Sequence, residues 1–130
     1  RDRFDLDRSV CRVNTVNTAV GPGNVMMIAL ESEQVTEIVT GFGVKGVTAE
    51  QVASDACDEA ERFLRSDAPI GIHLADQLLV PMALGGGGAF RTLSPTAHTR
   101  TNAGVIQQFL DVSIAIDVES QDAYRITVRR

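Results

Sequence analysis

The sequence predicts an α+β fold in which helices cover one face of mixed sheets. Three observations point there. The first half reads as strands followed by a single amphipathic helix. The second half reads as helix, strand, helix, strand, strand. The closing stretch from Val112 to Arg129 alternates apolar and polar residues on either side of a polar turn, the period-two pattern of half-buried strands.

Each element rests on its own signal. Val10 to Val20 is dense in β-branched residues and is expected to be a strand. Gly21-Pro22-Gly23-Asn24 is a turn. Val25 to Leu30 is a continuous apolar run, which predicts a buried strand, and Val35 to Val39 a short further strand. The loop Gly41-Phe42-Gly43-Val44-Lys45-Gly46 is glycine-rich. Thr48, with Gln51 three residues on, has the spacing of a capping box. Val52, Ala53, Ala56, Cys57, Ala60, Phe63 and Leu64 then form one apolar stripe at helical spacing. Arg62 and Arg65 fall in the last turn, where the helix dipole favours cations. Ser66-Asp67-Ala68-Pro69 ends this unit, and the domain boundary is expected there, dividing 1–66 from 67–130.

Ile72 to Leu84 predicts a second helix, apolar enough to be buried throughout. Pro81 removes one amide donor and is expected to kink or break it. Gly85-Gly86-Gly87-Gly88 releases the chain into a short strand, Ala89 to Leu93. Ser94 to Arg100 reads as a polar loop, with Thr101 or Asn102 capping a third helix that runs to Phe109 or Leu110. Strands follow at Val112 to Val118 and Tyr124 to Arg129, joined by Ser120-Gln121-Asp122-Ala123.

Composition narrows the function classes. The chain has 130 residues, one ordinary domain or two small pieces of a larger protein. It lacks the run of about 18 apolar residues that a membrane span needs, and its charged start, Arg1 to Arg8, does not resemble a signal peptide. Cys11 and Cys57 lack zinc spacing and form no disulfide framework. Both are expected to be reduced thiols in a cytoplasmic setting, Cys57 as a small core residue. The net charge of −5 argues against a broad basic surface for nucleic acid. An RNA site here must be a local pocket, or be completed by other sequence. Arg91, Arg100, Arg125, Arg129 and Arg130 make the second half more basic at its ends.

Several residues are candidates for chemistry. His98 sits in a polar stretch leading into a helix start, where free backbone amides attract anions. An imidazole is a competent nucleophile at neutral pH, so His98 is either a phosphate-attacking group or a surface loop histidine. The four glycines permit close backbone approach to a phosphate, but they match neither a P-loop nor a dinucleotide fingerprint. A plain connector is the other reading. Asp76 and Gln77 lie in an apolar helix and need partners. They are a helix-packing pair or a polar spot in a ligand pocket. His73, three residues before Asp76, is that aspartate's partner or a flat ring for stacking. Phe42, between two glycines, is a stacking platform for a base or a loop residue folded into the core.

A longer pattern ties these residues together. His73-Leu74-Ala75-Asp76-Gln77-Leu78-Leu79-Val80-Pro81-Met82-Ala83-Leu84, the glycine run, and Pro95-Thr96-Ala97-His98-Thr99-Arg100-Thr101-Asn102 closely resemble the RNA 3'-terminal phosphate cyclases. So does Gly41-Phe42-Gly43 continuing into Ala49-Glu50-Gln51-Val52-Ala53. The resemblance runs from about Gly23 to the chain's end. It implies the last βα repeat of an enolpyruvate-transferase-like large domain, preceded by part of a small inserted α+β domain. It implies ATP and a divalent metal, Mg²⁺ or Mn²⁺, used to convert an RNA 3'-phosphate into a 2',3'-cyclic phosphate through a covalent histidine–AMP intermediate. On this resemblance His98 is the nucleophile. Phe42 and His73 flank the adenine, and Asp76 and Gln77 line the nucleotide pocket.

Members of that family are much longer. The resemblance therefore implies that ligands for metal, triphosphate and RNA come mainly from an N-terminal part of the same protein. Sheet edges left open by a partial chain invite self-association, so a homodimer is also expected. The alternative is a catalytically silent relative acting in ribosome assembly or RNA binding, against which His98 argues. A different reaction on the enolpyruvate-transferase architecture is a third reading, since fold does not fix function.

Overall fold

The computed structural model describes residues 2–130. Its order is β1 (Val25–Glu31), β2 (Thr36–Phe42), α1 (Ala49–Arg65), α2 (Ile72–Leu84), β3 (Gly88–Thr92), α3 (Ala97–Phe109), β4 (Ser113–Val118) and β5 (Tyr124–Arg129). The α+β class is as the sequence predicts. Two sheets form, β1-β2 and β3-β5-β4. Every ladder is antiparallel. The parallel component expected of a mixed sheet is confined to the bridge between Ile70 and Thr92.

Each sheet has its own core. Met26, Ile28, Leu30 and Val39 turn one face of β1-β2 onto Ala56 and Ala60 of α1. The capping spacing at the start of α1 is realised in one direction: the Thr48 hydroxyl accepts from the Gln51 amide, while the Gln51 side chain donates to Asp55 instead of reaching back. In the second half, α2 and α3 cover one face of the three-stranded sheet. Leu79, Ala83, Ala103 and Ile106 meet Ile126 and Val128. The β4 and β5 alternation survives intact because only that face is buried.

Four expectations change. Val10 to Val20 is not a strand. Cys11 to Asn24 is irregular and exposed, with no neighbouring strand among the described residues to satisfy its backbone. The apolar run at Val25 is buried on one face only, since Val25 and Met27 lie on the open side of a two-stranded sheet. β2 extends through Gly41 and Phe42, because Phe42 pairs with Val25. Finally, α2 buries one stripe, Ala75, Leu79 and Ala83, and leaves Val80 and Leu84 exposed. Pro81 lies inside α2 without ending it, and the last turn closes as the Gly85 N–H donates to the Pro81 carbonyl at 2.8 Å.

The glycine run is a turn that needs glycine. Gly87 has φ 94° and its N–H donates to the Met82 carbonyl. A Cβ there would lie 2.5 Å from the Val128 carbonyl oxygen. This supports the connector reading of the four glycines.

Candidate functional site

The third helix begins earlier than its polar sequence predicts, and that moves His98. Thr96, not Thr101 or Asn102, is the N-cap. Its hydroxyl accepts from the Thr99 amide at 3.1 Å and lies 3.0 Å from the Thr99 hydroxyl. Ser, Thr and Asp side chains favour this position because they satisfy otherwise free amides. His98 therefore stands on the first turn of α3, not in a loop. Its side chain is 83% exposed.

Packing of α2 on α3 brings Asp76 to it. One carboxylate oxygen of Asp76 lies 3.2 Å from His98 Nδ1. The other accepts from Asn102 Nδ2 at 3.0 Å. His98 and Asn102 are four residues apart on one helix, so they share a face. Asn102 holds the carboxylate from one side while the imidazole meets it from the other. A proton on Nδ1 would face Asp76 and leave Nε2 with its lone pair. Among the described residues nothing bonds Nε2.

His73 is not the partner of Asp76. Its Nε2 lies 3.2 Å from Glu59 Oε1 of α1, and its side chain is 61% exposed. Phe42 is exposed too, projecting from the open face of β1-β2. Phe42, His73 and Gln77 come together in one groove of about 450 Å³, lined also by Ile38, Thr40 and Leu74. Asp76 and Gln77 are neighbours on α2, so one helix carries both the groove wall and the support of His98. A second groove of about 560 Å³ lies by the end of α1 and the start of α3, with Asp58, Glu61, Arg62, Arg65 and Asp122 on its walls. None of the sequence-predicted site residues lines it.

Two residues of the site carry no clear signal in the sequence. Asn102 reads there as a helix cap and as the end of the family-like stretch, with no role of its own, and its four-residue spacing from His98 has meaning only once α3 starts at Ala97. Glu37 is simply one acid in a strand. It is buried, and its Oε2 accepts from the Gly71 N–H at 3.2 Å. Burial holds its carboxyl above the ordinary range; the Gly71 N–H and His73 offset this, and Glu59 adds to it. Elsewhere, Arg91 and Arg125 both bond Glu119, whose carboxyl is held low first by Arg125. Arg100 lies 5.9 Å above the Tyr124 ring. The basic residues of the second half are thus partly engaged within the sheet.

Among the described residues, no group of three imidazole, thiol or carboxylate side chains is placed to hold a metal ion. The residues present do not by themselves fit the divalent metal expected from the family. No described helix is long and apolar enough to cross a membrane.

Fold and geometry together define an α+β chain that offers an exposed imidazole on the first turn of a helix, backed by a carboxylate from the neighbouring helix. Comparison with known proteins then gives the family. The family model for RNA 3'-terminal phosphate cyclase matches residues 9–116. The chain is 44% identical over 108 residues to an RNA 3'-terminal phosphate cyclase of Salmonella enteritidis, covering 83% of this chain and 32% of that protein. It is 44% identical over 117 residues to the one of Ralstonia nicotianae, covering 90% of this chain and 33% of that protein. It is 41% identical over 111 residues to the one of Ectopseudomonas mendocina, covering 85% and 33%. The chain belongs to the RNA 3'-terminal phosphate cyclase family, and it spans about a third of the length of the curated relatives it matches.

Proposed function

We propose that this chain carries the nucleotidyl-accepting histidine of an ATP-dependent RNA 3'-phosphate cyclase, with His98 as the nucleophile. One observation carries the reading: His98 is exposed on the first turn of α3 with Nδ1 3.2 Å from Asp76, which leaves Nε2 as the attacking atom. Its lone pair attacks the α-phosphorus of ATP. The Nε2–P bond forms, the α–β bridging P–O bond breaks, and pyrophosphate leaves. The imidazole becomes cationic, and Asp76 stabilises that charge through Nδ1–H. An oxygen of the RNA 3'-phosphate then takes the adenylyl group and frees the histidine. The adjacent 2'-hydroxyl attacks the activated phosphorus, closes the cyclic phosphate and expels AMP. That last step is intramolecular, so proximity lowers its barrier. Splitting the reaction through a covalent intermediate replaces one hard step with easier ones.

The groove holding Phe42, His73 and Gln77 is read as the adenine site, with the Phe42 ring and the His73 imidazole as flat surfaces for a base. The division of labour follows the boundary near Ser66: 1–66 as part of a small inserted domain and 67–130 as the last repeat of the large one. The divalent metal, and much of the contact to triphosphate and RNA, fall to sequence outside this chain. The presence of His98 weighs against a catalytically silent relative.

Adenylation tests the reading. The chain is incubated with ATP labelled at the α-phosphate and Mg²⁺ or Mn²⁺, quenched, and examined for protein-bound label beside His98→Ala. Acid-labile, alkali-stable label that disappears in the variant is the expected result. Label retained by His98→Ala removes His98 from the mechanism. Absence of label from the chain, but His98-dependent label in the longer parent protein, assigns the chemistry to the whole enzyme.

A further inference from the structure

Glu37 joins two parts of the chain that otherwise touch lightly. It lies on β2, the strand that also carries Phe42, yet its carboxylate crosses to the Gly71 N–H at the cap of α2 at 3.2 Å. The only other side-chain bond between β1, β2 or α1 and the second half, among the described residues, is His73 to Glu59. That pair is exposed, and exposed pairs hold little. Glu37, by contrast, is 5% exposed. Gly71 is shaped to receive it, because a Cβ at that position would sit on Glu37 Oε1. The Gly71 carbonyl is in turn met by the buried Thr92 hydroxyl, which ties the receiving segment to β3.

We propose that Glu37 is a positioning residue for the nucleotide groove: by accepting from the Gly71 N–H it fixes the β2 face bearing Phe42 against the α2 face bearing His73 and Gln77. This rests on reading that groove as the adenine site. The groove's two walls come from different halves of the chain, so their spacing depends on whatever locks the halves together. Glu59 and Arg62 line a cavity with Glu37, Glu59 and His73 act on its carboxyl, and Glu31 and Glu33 share a further groove with it. The function required of Glu37 is that of a hydrogen-bond acceptor, and a glutamine oxygen supplies the same. An alanine does not, and leaves the Gly71 amide without a partner.

Four chains decide it: wild type, Glu37→Gln, Glu37→Ala and Gly71→Ala, the last keeping the carboxylate but blocking its approach. Two readouts are taken. The first is geometric: Gly71 amide exchange, together with the distance between spin labels at Glu33 and Gln108 in a Cys11→Ser background. The second is the dissociation constant for ATP. Glu37→Ala and Gly71→Ala are expected to expose the Gly71 amide, broaden the label distance and weaken ATP binding about tenfold, the worth of one hydrogen bond. Glu37→Gln is expected to stay near wild type in all three. An unchanged label distance in both disrupting variants overturns the proposal, as does a broadened distance with unaltered ATP affinity. ATP affinity is read in the chain or, where the chain alone binds none, in the longer parent protein; ATP binding to the parent that is indifferent to Phe42→Ala and His73→Ala removes the adenine reading of the groove on its own, and the exchange and distance data still decide whether Glu37 sets the two walls.

Discussion

Asp76→Asn separates charge from orientation at His98. The substitution keeps one carbonyl oxygen that can accept from Nδ1–H, with the Asn102 amide turned so that its oxygen accepts from the new NH2, so the ring stays aligned, but it removes the negative charge 3.2 Å from the imidazole. Unit charges about 4 Å apart interact by about 4 kcal/mol at an effective dielectric near 20. His98 is 83% exposed while the Asp76 side chain is 23% exposed, so water screens one partner well and the other poorly. Roughly half the Coulomb energy, about 2 kcal/mol, then remains for the cationic imidazole formed on attack, or about thirtyfold in rate. Single-turnover adenylation, in whichever of chain or parent protein takes the label, measures it. Asp76→Ala removes the acceptor as well, and is expected to fall further. Imidazole ¹⁵N shifts should show the proton on Nδ1 in wild type and Asp76→Asn, and a mixture of tautomers in Asp76→Ala. Equal adenylation rates in all three chains, or a wild-type proton on Nε2, would refute the reasoning: Asp76 would then neither orient nor stabilise.

Three further outcomes follow from burial and backbone geometry. Glu37 has a carboxyl raised by burial above the ordinary 4.5, so the native state holds that proton more tightly than the unfolded chain; stability therefore falls as pH rises from 4.5 through the raised native value. Urea unfolding of wild type and Glu37→Gln from about pH 4 to about pH 8 should show the variant losing that downward slope. Leu79→Ala opens the centre of the α2–α3 core, where Leu79 is 0% exposed, and is expected to cost about 3 kcal/mol in the same assay. Gly87→Ala places a side chain at φ 94° with its Cβ 2.5 Å from the Val128 oxygen, and should cost about 2 kcal/mol and loosen exchange at the β3–β5 edge.

What the sequence makes legible here is what one helix or one strand decides alone. The α2 bounds at Ile72 and Leu84, the Thr48 cap and the β5 alternation all depend on local propensity and one buried face, and neighbouring residues in the chain suffice to read them. Where a partner decides, the reading fails. Val10 to Val20 has strand composition without a strand to pair with. Phe42 belongs to β2 because Val25 lies opposite it, which no glycine count reveals. The site divides the same way. His98, Asp76, Gln77, His73 and Phe42 stand out as residue types in a family-like pattern, but their grouping is a tertiary fact. Helix packing assigns Asp76 to His98 and sends His73 to Glu59, splitting two residues that share a helical spacing. Under the proposed function the consequence is mechanistic: one helix supports His98 through Asp76 and walls the Phe42 groove through Gln77, so a shift of α2 relative to β2 would disturb the proposed base site and the proposed attacking nitrogen together.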